Sequence, residues 1–237
     1  MIAPFAPSSF VPMRRLLPLL ALVAAAPLAR AADTVAAPAE GKAAGALTRF
    51  DPANPPAEWK PILEALAVSR PVESGFVENR YHRIRRMPFT LPGVMRYLPG
   101  TGVSIAHTDS GKEDAVLVKD DGLYRREDGR FERIPYDVAA TRAPRLLLSV
   151  MAFDPAKVAK DFTAEGRVAP EGWSLVLTPR SADIASAVSR MRLDGDKGRI
   201  SKITIYDGDR VRLEIFIHSV KFPGEFPRDV ARNYFGA

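Results

Sequence analysis

The chain has 237 residues, of which 34 are Lys or Arg, 28 are Asp or Glu, 46% are apolar and none is Cys. That length suits one ordinary domain with extensions, or two small ones, and the composition excludes wholesale disorder. The missing Cys excludes disulfide scaffolds, thiolate-ligated zinc, thiol catalysis and a cysteine-linked lipid anchor, and His82, His107 and His218 are too scattered for a His-based metal site.

Residues 1–31 read as a signal peptide, with Met13 an alternative start. Arg14 and Arg15 form its positive end, Leu16 to Leu28 its apolar run, and Ala29-Arg30-Ala31 its small-x-small cleavage site. The apolar run is short for a bilayer and is interrupted by Pro18 and Pro27. Cleavage after Ala31 lowers the formal net charge from +6 to +3, because Arg14, Arg15 and Arg30 leave with no acidic residue. Periplasmic localisation in soluble form is the expectation. Residues 32–55 are rich in Ala, Pro and Gly without periodicity and read as a flexible segment.

A domain is expected over 56–237. It opens on a short helix with Trp59, Ile62, Leu63 and Leu66 on one stripe and Pro61 near its first turn. From Val72 the period changes to two. Strands are expected at 72–80, 93–98, 103–107, 113–119, 123–126 and 131–134, with turns at Pro99–Gly102, Asp121-Gly122 and Asp128-Gly129. Ala143 to Phe153 reads as an apolar helix, and Asp154-Pro155 starts a second one with Asp as N-cap. Strands resume at 162–168, 173–178, 188–193, 200–206 and 211–219, and residues 222–237 look irregular.

The expected fold class is therefore α+β, a curved antiparallel sheet of about 10–11 strands with helices on one side. Trp173, Leu175, Met191, Leu193, Ile203, Ile205, Leu213 and Ile215 alternate with Arg190, Arg192, Lys202, Arg212 and Glu214. One face is expected to be dry and the other wet. The dense basic run from Arg80 to Arg86 suits a solvated edge or a phospholipid-facing rim better than a nucleic-acid footprint in an exported chain, so no nucleic-acid partner is expected.

Catalytic patterns are lacking. There is no Gly-x-Ser-x-Gly, Gly-x-Gly-x-x-Gly or Walker sequence, and Pro99-Gly-Thr-Gly102 is a turn between strands rather than a phosphate loop. Asp194 and Asp196 lack the later Glu of a calcium loop. Ser104 and His107, three apart on a strand, face opposite sides. The expectations are no enzyme activity, no metal and no cofactor.

Several stretches share an order with one family. Gly93-Val-Met-Arg-Tyr-Leu-Pro-Gly100 resembles the G-x-L-x-Y-x-x-P strand pair of LolA-like periplasmic lipoprotein carriers. Phe76-Val-Glu-Asn stands near that family's F-x-Q, and Leu117 to Tyr124 resembles its D-G-x-x-L-W strand. Gly172-Trp-Ser-Leu-Val-Leu-Thr-Pro179 resembles its W-x-L-x-P strand, and Ile203 to Asp209 its penultimate hairpin. The resemblance covers about Trp59 to Pro223 and fits a divergent LolA-related branch. It implies an incomplete β-barrel with helices over the open apolar side, shielding acyl chains of a lipoprotein or envelope lipid on their way to the outer membrane. It also implies an inner-membrane ABC transporter as donor and an outer-membrane acceptor. The apolar cavity would be lined by Met95, Tyr97, Trp173, Leu175, Met191, Leu193, Ile203, Ile205, Leu213 and Ile215. Leu147, Leu148, Met151 and Phe153 would form the lid. The family's latching Arg after the Pro of P-x-R-F-x-W has no counterpart in Pro99-Gly-Thr-Gly-Val-Ser-Ile105. A monomer is expected, and the alternative reading is a periplasmic sensor or assembly module that binds a protein partner with the same fold.

Overall fold

The computed structural model describes residues 46–67, 69–82, 87–108, 114–127, 129–134, 150–186 and 188–236. Twelve strands form one antiparallel sheet in the order β1-β8-β9-β10-β11-β12-β2-β3-β4-β5-β6-β7. The first half comprises β1 (Thr48–Phe50), β2 (Val72–Arg80), β3 (Phe89–Leu98), β4 (Gly102–His107), β5 (Asp114–Lys119), β6 (Gly122–Glu127) and β7 (Arg130–Arg133). The second half comprises β8 (Phe162–Ala169), β9 (Gly172–Pro179), β10 (Arg190–Asp196), β11 (Arg199–Asp207) and β12 (Arg210–Lys221). The sheet is curved and unclosed, as the sequence predicts, with β1 and β7 at its two edges. Register shifts at Asp194/Gly195, Ile205/Tyr206 and His218/Lys221 lie in β10, β11 and β12. Such irregularities add bend and twist to a strand.

Two of these pairings join distant parts of the chain. β12 lies against β2 with Leu213 opposite Arg80 and Ile217 opposite Phe76. β1 lies against β8, Thr48 opposite Gly166 and Phe50 opposite Ala164. Residues 48–50 therefore belong to the sheet, although they fall inside the segment read as flexible. Three residues are too few to show a period, and what holds them is tertiary: Phe50 stacks on Trp59 at 4.9 Å between ring centroids.

Four helices accompany the sheet: α1 (Lys60–Leu66), α2 (Pro155–Asp161), α3 (Ala182–Ala185) and α4 (Arg228–Phe235). α1 carries Pro at its first turn and buries Ile62, Leu63 and Leu66. α2 starts as expected: Asp154 accepts hydrogen bonds from the N–H groups of Ala156 (2.9 Å) and Lys157 (3.2 Å). Proline at its first turn forfeits no helical bond there. α4 corrects the expectation of an irregular tail. It is only two turns long, but Tyr234 and Phe235 are buried, and Gly236 closes the helix at φ 71°.

The core lies mainly on the concave face, where α1, Val150, Phe153 and Val158 of α2 pack onto the strands. The convex face is wet along β8 and β10–β12, where it carries Glu165, Arg167, Arg192, Lys202 and Glu214. Over β4 and β5 it is apolar too: Ala106, Ala115 and Leu117 are buried under Tyr234 and Phe235 of α4. The sequence reading of one dry and one wet face is corrected at this end, because β5 is apolar on both sides and the C-terminal helix supplies the second cover.

Candidate apolar cavity

The concave face is built by alternation. Leu175 and Leu177 on β9 pair with Leu193 and Met191 on β10, which pair in turn with Ile203 and Ile205 on β11. Ile203 and Ile205 face Ile215 and Leu213 on β12. Across the seam, β2 and β3 continue the surface through Val72 opposite Tyr97, Ser74 opposite Met95 and Phe76 opposite Gly93. Because side chains alternate in a strand, these residues share one side of the sheet.

Of the ten residues expected to line the cavity, nine are buried in this one cluster: Met95, Tyr97, Trp173, Leu175, Met191, Leu193, Ile203, Ile205 and Ile215. Leu213 is half-buried and packs against it. Of the four lid residues, Phe153 is buried in the same cluster and Met151 packs against its edge. Leu147 and Leu148 lie outside the described residues, as does most of the segment expected to be the lid helix; Val150 and Met151 are helical. Trp59, Ile62, Leu63 and Leu66 of α1 and its start, which the sequence reading did not name among the lining residues, are buried in the same cluster. Their stripe was legible; which face of the sheet it would meet was not.

Two glycines make the fit under α1 and beside it. A Cβ on Gly166 would stand 2.2 Å from Cζ2 of Trp59, and one on Gly195 would stand 2.3 Å from Cζ2 of Trp173. Both indoles thus lie on bare backbone and meet edge to face, 6.1 Å between centroids. Two clefts open beside this packing. One, of about 200 Å³, runs between β1, the start of α1 and β8, and is lined by Phe50, Trp59, Gly166 and Val168 among others. The second, of about 160 Å³, lies between the β3–β4 turn and α2, lined by Tyr97, Gly100, Asp120, Ala152, Asp154 and Lys157. There Lys157 Nζ stands 3.9 Å from Asp120 Oδ1, an exposed pair linking α2 to the β5–β6 turn. Burial, helped by the Asp120 charge, pushes the Tyr97 hydroxyl above the usual tyrosine pKa.

The far end of the concave face is polar. Glu78, 6% exposed, shares the face of Val72 and Phe76. Its carboxylate accepts a hydrogen bond from Arg80 Nε and meets His107 Nε2 at 2.9 Å. Burial opposes its charge, and the bonds to His107 and Arg80 outweigh burial, so its pKa is held below the ordinary 4.5. The ring of His107 also meets Phe76 edge to face at 5.6 Å. Glu78 falls on the side of β2 that carries Val72 and Phe76; its partners come from β2 itself and from β4, and the latter could not be read without the register. Ser104 and His107 face opposite sides, as expected from their spacing: Ser104 is buried opposite Arg96 and Leu117.

Among the described residues no cluster of three or more His, Asp or Glu side chains could hold a metal ion. No helix among them is long and apolar enough to cross a membrane.

A curved, unclosed antiparallel sheet with short helices over one apolar face is the class of fold that these elements define. The family described as outer membrane lipoprotein carrier protein LolA-like matches residues 52–210, more than half of the chain, and the chain belongs to that family. No curated protein matches it. Among solved structures it is similar to a LolA superfamily protein from Nitrosomonas europaea, at 10% identity, covering 72% of this chain and 96% of that one, with a TM-score of 0.42. A putative outer membrane lipoprotein-sorting protein domain from Vibrio parahaemolyticus matches at 10% identity, covering 73% and 94%, with a TM-score of 0.38. LprF from Mycobacterium bovis matches at 12% identity, covering 73% and 98%, with a TM-score of 0.34.

Proposed function

We propose that the chain is a periplasmic carrier that shields the acyl chains of a lipoprotein or envelope lipid between the concave face and its covering helices. It receives them from an inner-membrane transporter and passes them toward an outer-membrane acceptor, without catalysing a reaction. The observation that carries this reading is the continuous apolar floor from β9 to β3, covered by short separate pieces rather than by a second sheet. Short helices joined by loops can lift away singly, whereas two facing sheets separate only as a whole. Each buried CH₂ of a cargo contributes about 0.8 kcal/mol, so a long acyl chain needs such a shelter to cross water. Exposing the floor costs the same apolar area, so opening is favoured when cargo replaces the helix contacts.

The test is displacement of an acyl-chain fluorophore by lipid, with lipid extracted from the purified chain identified by mass spectrometry. Ile205→Asp, verified as folded by circular dichroism, is expected to bind the fluorophore at least tenfold more weakly. Leu213→Asp repeats the test at a half-buried position on the same face. Equal binding by the folded variants would move the cavity elsewhere, and absence of both lipid and fluorophore binding would end the carrier reading.

A further inference from the structure

The ring of Tyr97 belongs to the apolar floor and its hydroxyl to a polar cleft. The residue is 8% exposed and packs in the concave cluster, opposite Val72 on β2 and Val103 on β4. It also lines the second cleft, the one between the β3–β4 turn and α2. Asp120 lines the same cleft and its charge acts on the Tyr97 hydroxyl, so the hydroxyl is the end turned toward the cleft. Burial, together with that charge, keeps the hydroxyl protonated at neutral pH, and it is therefore a donor. It makes no hydrogen bond to any described residue. A buried hydroxyl without a partner costs free energy, and the cleft is where a partner can enter.

The rest of the lining mixes donors and acceptors. Lys157 donates, and Asp154 accepts the N–H groups of Ala156 and Lys157 through Oδ1, so its Oδ2 remains an acceptor. Gly100 and Gly102 turn the chain at φ 73° and 144°, which leaves the wall between them with the Thr101 side chain alone. Asp120 and Asp154 against Lys157 make the lining net negative, which disfavours a phosphate or carboxylate. Hydroxyl groups both donate and accept, and they match such a lining. The cleft's volume of about 160 Å³ equals about five waters at ~30 Å³ each, room for a small group only. We propose that this cleft is a head-group subsite for an uncharged polyhydroxyl head, a glycerol or a sugar, joined to the acyl chain that the floor shelters. The proposal rests on the carrier reading and names the class of its cargo. The chain passes the apolar ring of Tyr97 and the head meets its hydroxyl, a division of labour natural to tyrosine. Because Lys157 belongs to α2 and Tyr97 to the sheet, a seated head also ties that covering helix to the floor.

The experiment is displacement of the acyl-chain fluorophore from the purified chain by probes of equal chain length, each below its micelle concentration. They are dodecanoyl glycerol, dodecyl glucoside, methyl dodecanoate and dodecanoate. At least one hydroxylated probe is expected to compete about fivefold better than the methyl ester and the carboxylate, the effect of roughly one hydrogen bond. Which of the two is stronger separates a glycerol head from a sugar. The readout for variants is the ratio between the hydroxylated probe and the methyl ester, which a general loosening of the floor would leave unchanged. That ratio should fall at least threefold in Tyr97→Phe, and Lys157→Met should lower it as well; both are checked for fold by circular dichroism. Equal competition by all four probes, a preference for dodecanoate, or an unchanged ratio in both folded variants overturns the proposal and leaves the carrier reading intact. Failure of the wild-type chain to bind the fluorophore at all, with no lipid extracted from it, overturns both.

Discussion

The indole of Trp59 lies on the backbone of Gly166, so close that a methyl group there would be 2.2 Å from Cζ2. The contact fastens α1 to the sheet edge, and through Phe50 it holds β1 as well. Gly166→Ala forces the indole away and is expected to cost about 1–3 kcal/mol, the usual range for overpacking. Urea unfolding measures it. A neutral result would show that α1 rests on the sheet loosely.

Much of this architecture is legible in the residues themselves. The strand at 72–80 and the N-cap at Asp154 emerge as predicted because alternation and capping are local rules. β1 and α4 escape for the same reason in reverse. Thr48–Phe50 is too short to show a period, and Arg228–Phe235 is only two turns long, its stripe of Val230, Ala231, Tyr234 and Phe235 following closely on Pro223, Gly224 and Pro227. Both are held by contacts across the chain, Phe50 on Trp59 and Phe235 among Ala106, Ala115 and Leu117. The floor residues from Trp173 to Ile215 were legible as one face. Their covering by α1 was not, since no local rule says which sheet face a helix will meet when the strand under it, β11, lies far along the chain.

Phe235→Ala tests the convex cover. The ring is 2% exposed and meets Phe226 at 5.5 Å between centroids. Its loss is expected to cost about 3–5 kcal/mol, as for other buried Phe truncations. Hydrogen exchange in β4 and β5 should rise with it. Unchanged protection there would mean that α4 is an ornament on a self-sufficient sheet.

At the start of α2, Asp154→Ala removes the acceptor of two N–H groups. About 1 kcal/mol of stability should go, and Asp154→Asn should restore most of it. Equal effects of Ala and Asn would point to the charge beside Lys157 rather than to the cap.

Glu78 makes stability depend on acid. Its folded pKa is below its ordinary value of 4.5, so its ion pairs contribute fully above pH 4.5. That contribution fades as pH falls through the lowered folded value, because the unfolded chain then takes up the proton more readily. Glu78→Gln removes this part of the acid sensitivity. Melting temperatures of wild type and Glu78→Gln followed downward from pH 5 should converge, and parallel curves would refute the assignment.

The seam between β2 and β12 sets a timetable for assembly. Every other neighbouring pair except β1 with β8 is contiguous in the strand sequence, so those pairings arise from neighbours in sequence. β2 ends at Arg80 and β12 begins at Arg210, so as the chain emerges from its N-terminal end one edge of the first six-stranded meander stays unmated until roughly 130 further residues have followed. Over that interval Phe76 and its neighbours on β2 present an open backbone edge, the feature that invites strand exchange with another molecule. Quality of folding in this chain is thus decided by the last long strand to arrive, and sequence changes in β12 should raise aggregation during production out of proportion to their effect on the finished protein.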